Sequence, residues 1–150
     1  MVEIKKILFP FDLTHNGSKV FPYVLSVSEK YGGDICLLHV VEDLGKWAGG
    51  MYIPHLPLEQ YREDALKGAE KTLDEVCEEQ LKGCSFQKKI VYGDPAEEIL
   101  KAVDSEGIDL VVMGTHGRKG LENALFGSVA RSVVKRSPVP VLTVNPYKIQ

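Results

Sequence analysis

Two periods alternate along the chain. Short apolar, β-branched runs at Ile4–Phe9, Asp34–Val41, Ser85–Tyr92, Ile108–Met113 and Val139–Val144 read as five strands. Pro10 stops the first. In the second, Ile35, Cys36, Leu37, Leu38, Val40 and Val41 are almost continuous. That is the pattern of a strand covered on both faces, as in a parallel sheet flanked by helices. Between the runs the apolar positions recur at helical spacing. Val20, Phe21, Val24, Leu25 and Tyr31 form a stripe ended by Gly32-Gly33. Pro22 requires that this helix start no earlier than about Ser18 or else kink. Tyr61, Ala65, Leu66, Ala69, Leu73, Val76, Cys77 and Leu81 keep one face for about six turns.

The third helix announces its own start. Asp94 is the N-cap, Pro95 stands at the first helical position and Glu97 at the reciprocal position of a capping box. Ile99, Leu100 and Val103 are its buried face. A fourth helix runs from about Gly127 to Arg136 and buries Val129, Ala130, Val133 and Val134. Lys135 and Arg136 suit the negative end of its dipole, and Ser137-Pro138 stops it. The order is strand, helix, strand, a long connection over Glu42–Pro57, then helix and strand in alternation. This predicts one domain over residues 1–150, an α/β doubly wound parallel sheet with right-handed crossovers and helices on both faces.

Composition narrows the function classes. Hydrophobic residues make up 44% and charged residues 26% of the 150, close to an ordinary globular domain. Eighteen basic and 21 acidic residues, without a block of one sign, offer no broad field for nucleic acid or an anionic membrane. The N-terminal apolar stretch is too short for a signal peptide, and no run approaches the ~18 residues that span a bilayer. A cytoplasmic location is expected. Cys36, Cys77 and Cys84 form no CxxC pair, and the first two fall on apolar faces, which favours buried thiols over a zinc site. His15, His39, His55 and His116 lack metal-ligand spacing. His39, inside an apolar strand, reads as a satisfied core histidine.

In an open α/β sheet the ligand crevice lies at the carboxyl ends of the strands, where strand order reverses. Pro10-Phe11-Asp12, His39-Val40-Val41 and Met113-Gly114 arrive at that edge. After the fourth strand, Gly114, Gly117, Gly120 and Gly127 stand within fourteen residues, the last at a helix start. The N–H groups of Gly127, Ser128 and Val129 would there face an anion, helped by the helix dipole, with the Ser128 hydroxyl beside them. Arg118 and Lys119 could add positive charge. No Walker A loop and no G-x-G-x-x-G is present. On glycine content alone, an ordinary loop and an anion site fit equally. His116 either touches phosphate or covers the site, and Asp12 either caps a turn or meets a ligand, with Thr14 or Ser18 available as the cap instead. Trp47 and Tyr52 form a partner surface, a lid or a pin for the long connection.

The spacing Gly114-x2-Gly117-x9-Gly127-Ser128 resembles the G-x2-G-x9-G-[S/T] motif of the ATP-binding branch of the universal stress protein family. Ile7-Leu8-Phe9-Pro10-Phe11-Asp12, Leu37-Leu38-His39-Val40, Gly93-Asp94-Pro95-Ala96-Glu97-Glu98-Ile99, Asp109 through Gly117, and Ser137-Pro138-Val139-Pro140-Val141-Leu142 are also similar to that family, so the resemblance covers nearly the whole chain. It implies an adenine nucleotide alpha hydrolase-like sheet of order 3-2-1-4-5 and an ATP site, or a site for another adenine nucleotide, completed by Mg or Mn. Asp12 would meet the ribose, and the Val40 backbone the adenine. Pro10 and Met113 would line the base pocket, with Phe11, Gly114, Thr115 and Arg118 around the site. Gly117, Gly127, Ser128 and Val129 would hold phosphates. Leu13-Thr14-His15-Asn16 departs from the commoner Gly-Ser pair, so no polar role is carried over to those positions.

The resemblance further implies a homodimer through Val139–Val144. It favours a nucleotide-dependent sensor acting on an unidentified protein partner. The alternatives are a slow metal-dependent ATP hydrolase or phosphotransferase, for which only Asp12 is an obvious crevice carboxylate, and a nucleotide-free dimeric adaptor.

Overall fold

The computed structural model describes residues 1–47, 49, 54, 57–117 and 124–149. Five strands, β1 (Lys6–Pro10), β2 (Asp34–Glu42), β3 (Phe86–Gly93), β4 (Leu110–Gly114) and β5 (Val141–Val144), form one parallel sheet of order β3-β2-β1-β4-β5. Period-two alternation sends Ile7 and Phe9 to one face, and Leu8 to the other. On the first face Ile7, Phe9, Ile35, Leu37 and Val112 pack against α2 (Phe21–Tyr31) and α4 (Leu58–Gln80) through Phe21, Val24, Leu73 and Cys77. On the second, Leu8, Cys36, Leu38, Val111 and Met113 meet α5 (Pro95–Ser105) and α6 (Ser128–Arg136) through Ile99, Val103, Ala130 and Val133. The doubly wound architecture expected from the alternation is therefore present.

Several boundaries differ from expectation for identifiable reasons. Pro10 does not stop β1; it lies within it, opposite Leu38. The Phe11 N–H donates to the Leu38 carbonyl at 2.8 Å, while Lys6 uses its carbonyl on the β4 side, toward Asp109 N. By alternation, the N–H that proline lacks would face β4, where pairing has already ended at Leu8 opposite Val111. The proline thus costs the sheet no hydrogen bond. The first helical region is two pieces, α1 (His15–Ser18) and α2, and Pro22 sits in the first turn of α2, where it is tolerated. Gly32 closes α2 in the left-handed conformation at φ 67°.

The connection after β2 contains a four-residue helix, α3 (Leu44–Trp47), and β2 itself extends to Glu42. The Trp47 side chain, Tyr52 and His55 lie outside the described residues, so the roles considered for them are untouched. Asp94 caps α5 as expected, accepting from Glu97 N at 3.0 Å. The Glu97 carboxylate takes the Arg136 guanidinium in a two-pronged contact of 2.5 and 3.1 Å, which ties α5 to α6. β5 begins at Val141, two residues later than the apolar run, after Pro138 and Pro140. Among the described residues, no helix is long and apolar enough to cross a membrane.

Candidate functional site

The chain after β1 passes into α1 and α2 on one face of the sheet, whereas the chain after β4 returns as α6 on the other. Neighbouring strands whose continuations part in this way leave a crevice between their carboxyl ends. A cavity of about 270 Å³ occupies it. Its lining includes Pro10, Phe11, Asp12, Val40, Met113, Gly114, Thr115, Gly117, Gly127, Ser128 and Val129, so these expected positions converge on one place. Arg118 and Lys119 lie outside the described residues. Leu38, Val40, Ile99 and Met113 give the cavity an apolar slot under the end of β2; Asp12, Gly117 and Ser128 give it a polar end.

Asp12 is held in place before any ligand is considered. Its Oδ1 accepts from the Thr14 N–H at 3.0 Å and the Thr14 hydroxyl at 2.6 Å. Thr14 is also the N-cap of α1, its Oγ1 accepting from Gly17 N at 3.1 Å. A Cβ on Gly17 would lie 2.4 Å from Asp12 Oδ1, and one on Gly117 2.1 Å from Oδ2. An added Cβ would therefore meet the Asp12 carboxylate at both positions, and at Gly17 the Phe11 ring as well, at 2.9 Å. Asn16 adds a bond from Nδ2 to the Gly117 carbonyl at 3.2 Å, joining the two walls. Thr14 and Asn16, given no polar role by the resemblance, thus build the polar end. Leu13, between Asp12 and Thr14, has φ 62°, a left-handed conformation that costs a non-glycine residue about 1 kcal/mol.

Phe11 lines the cavity, but its ring belongs to the core, 5.2 Å from Phe21 and 5.7 Å from Phe9 between centroids. The Phe11 carbonyl meets His39 Nδ1 at 2.8 Å. His39 is buried and so bonded, the satisfied histidine that its apolar strand suggests.

At the end of β4 the structure corrects one reading and narrows another. Gly127 N–H does not face the crevice as a free donor; it donates to the Thr115 carbonyl at 2.7 Å. This follows from its place as N-cap of α6, outside the first helical turn. The donors that the helix leaves without an intrahelical acceptor belong to Ser128, Val129 and Ala130, since Arg131 N–H already reaches Gly127 O at 3.0 Å. His116, for which phosphate contact and covering were both open, is buried, with Nδ1 2.7 Å from Thr115 Oγ1 and Nε2 2.7 Å from the Ala124 carbonyl. Its two ring nitrogens are committed to the protein.

Sequence reasoning also passed over Glu42, a second carboxylate on the cavity lining. Its position as the last residue of β2 was the available signal, because that end faces the crevice. Among the described residues, no cluster of three His, Cys, Asp or Glu side chains could hold a metal. Cys36 and Cys77 are buried thiols whose pKa is pushed up chiefly by burial, so they stay protonated near neutral pH.

Comparison with known proteins places this geometry in context. The family model described as the universal stress protein family matches residues 3–145. A curated universal stress protein of Methanocaldococcus jannaschii, MJ0577, is 31% identical over 156 residues, covering 96% of each chain. Its solved structure superposes with a TM-score of 0.82 at 29% identity, over 96% of this chain and 97% of that one. The universal stress protein YxiE of Bacillus subtilis is 28% identical over 93% of this chain and 98% of its own. A family protein of Arabidopsis thaliana, solved with AMP bound, shares the fold at a TM-score of 0.59 and 24% identity, over 94% and 91% of the two chains.

Proposed function

Because the chain belongs to the universal stress protein family, we propose that it is a cytoplasmic, adenine-nucleotide-binding regulator of the stress response, with ATP as its ligand. The observation that carries this reading is the crevice itself. It joins an apolar slot at Leu38, Val40, Ile99 and Met113 to the N-terminal end of α6. A purine suits the slot, and the orphan N–H groups of α6 suit phosphate. Asp12, at the polar end, would accept from ribose hydroxyls. The AMP-bound relative supports an adenine nucleotide as the class of ligand. Mg²⁺ or Mn²⁺ would enter with the phosphates, because the described residues offer no protein cage of their own.

The role is binding rather than turnover. Phosphoryl transfer needs an oriented nucleophile and concentrated charge stabilisation, while Asp12 Oδ1 is already committed to Thr14. Occupancy of the crevice would instead change the surface read by a protein partner, by shifting the population of states that ATP prefers. A second copy of the chain, paired through β5, completes the proposed assembly.

Ser128→Glu tests the site without threatening the fold. A carboxylate in the first turn of α6 is favourable to the helix dipole by roughly 0.3–1 kcal/mol, yet it repels a polyphosphate at the same place. Calorimetric titration should show ATP binding to the wild type and at least about tenfold weaker binding to the variant, with thermal stability retained. Equal ATP affinity in the two proteins would refute the phosphate placement.

A further inference from the structure

His116 lies on the cavity lining, yet its ring faces protein. A carbonyl oxygen only accepts, so the contact with Ala124 O requires a hydrogen on Nε2. In the neutral ring Nδ1 is then the acceptor, and the Thr115 hydroxyl donates to it. The ring edge rests on Tyr147, with centroids 5.4 Å apart at 62°. Thr115 is fixed in turn, its N–H donating to Val144 O at 2.9 Å and its carbonyl accepting from Gly127 N at 2.7 Å. The imidazole thus ties Ala124, and the Thr115 carbonyl ties Gly127, to the end of β4. Both ties fall within four residues of Ser128, where α6 begins.

We propose that His116 is a positioning residue for the phosphate end of the ligand, acting through the Ala124 tie on the N–H groups of Ser128, Val129 and Ala130. The inference rests on the nucleotide reading above. Among the described residues the imidazole meets Thr115, Ala124 and Tyr147, whereas the apolar slot is built from β2, β4 and α5. Its loss therefore weakens recognition of phosphates and leaves recognition of the nucleoside as it was. A residue that merely supported the fold would weaken both.

The experiment titrates ATP and adenosine, in parallel, into the wild type, His116→Gln and His116→Asn. The Gln amide reaches toward the Nε2 position and can donate to Ala124 O; the shorter Asn amide lies near Nδ1 and cannot. Neither leaves a cavity as large as alanine would. The expected result is about tenfold weaker ATP binding by His116→Asn, most of it recovered in His116→Gln, with adenosine affinity within about twofold in all three. ATP binding unchanged in His116→Asn, or ATP and adenosine weakened by the same factor, overturns the positioning role while leaving the nucleotide reading in place. A wild type that binds neither ATP nor adenosine removes the nucleotide reading, and the positioning role with it.

Discussion

At the scale of single residues, the polar end of the crevice is a carboxylate clasped by two glycines that come from distant parts of the chain. Asp12 lies where a Cβ of Gly17 or of Gly117 would stand. Gly117→Ala should therefore displace Asp12 or the chain around residue 117, at a cost of about 1–3 kcal/mol in urea denaturation. In an Asp12→Ala background the nearest atom among the described residues is the position-12 Cβ, at 3.8 Å from the new methyl, an ordinary contact. There the same substitution should cost no more than a few tenths of a kcal/mol. Additive losses in the double-mutant cycle would mean that Gly117 is required for another reason. The spacing Gly114-x2-Gly117-x9-Gly127 was legible in the sequence, but the reason for Gly117 was not. A sequence shows that a side chain is missing; only the folded chain shows which carboxylate occupies its place. Asn16 was illegible for the same reason, since its partner, the Gly117 carbonyl, becomes a neighbour only when α1 turns back across the crevice; Thr14 was legible as a cap, which it is, but its hold on Asp12, two residues away, was not.

Elements are where the sequence spoke most clearly, and where ion pairs at their ends decide how pH acts. Continuous β-branched runs and helical stripes located the five strands and the four longer helices described, because burial on both faces leaves a strand continuously apolar while one-sided burial leaves a helix a 3.6-residue stripe. What periodicity did not carry was direction of hydrogen bonding: hence Pro10 inside β1, and the Glu97 carboxylate engaged by Arg136 of α6. Glu106, the C-cap of α5, shows the consequence for stability. Its carboxylate meets Lys89 Nζ at 2.7 Å and Gln87 Nε2 at 3.2 Å, and Lys6 Nζ donates to its carbonyl at 2.9 Å. The Lys89 contact first, then Gln87, holds its pKa below the usual carboxylate value. A carboxylate depressed in the folded state contributes stability that is fully present above its unfolded pKa, about 4.3, and is lost as pH falls through the folded value. Glu106→Gln should therefore flatten the acid limb of the stability profile and leave its slope above about pH 6 unchanged. The amplitude should be small and reduced by salt, because the pair is only partly buried. Chemical denaturation at a series of pH values measures both, and an acid limb identical in the two proteins would show that this cluster does not couple to folding.

The whole molecule has two sheet edges, and they differ in a way that bears on assembly. β3 forms one edge and carries Gln87, Lys88 and Lys89, with Lys88 paired to Asp74 of α4. Charged side chains of this kind protect an edge from pairing with another chain. β5 forms the other edge and reads Val-Leu-Thr-Val, without a charge. Pro140 and Val144 use their carbonyls toward β4, so alternation turns the backbone groups of Val141 and Thr143 outward. Leu142 is 39% exposed despite its place in a strand of the sheet. An unprotected apolar edge supports a homodimer across β5, the partner that the sequence resemblance implied. A charge at Leu142 is the direct test: Leu142→Asp would have to bury a carboxylate against an apolar neighbour in any such pair, whereas in a monomer it points to water. Light scattering should give twice the 16.6 kDa chain mass for the wild type and the chain mass itself for the variant at micromolar concentration. Leu142 does not line the cavity, so ATP affinity should persist in the monomer if the crevice is complete within one chain. A variant that stays dimeric would move the interface elsewhere. One that becomes monomeric and loses ATP as well would show that the second copy contributes to the site.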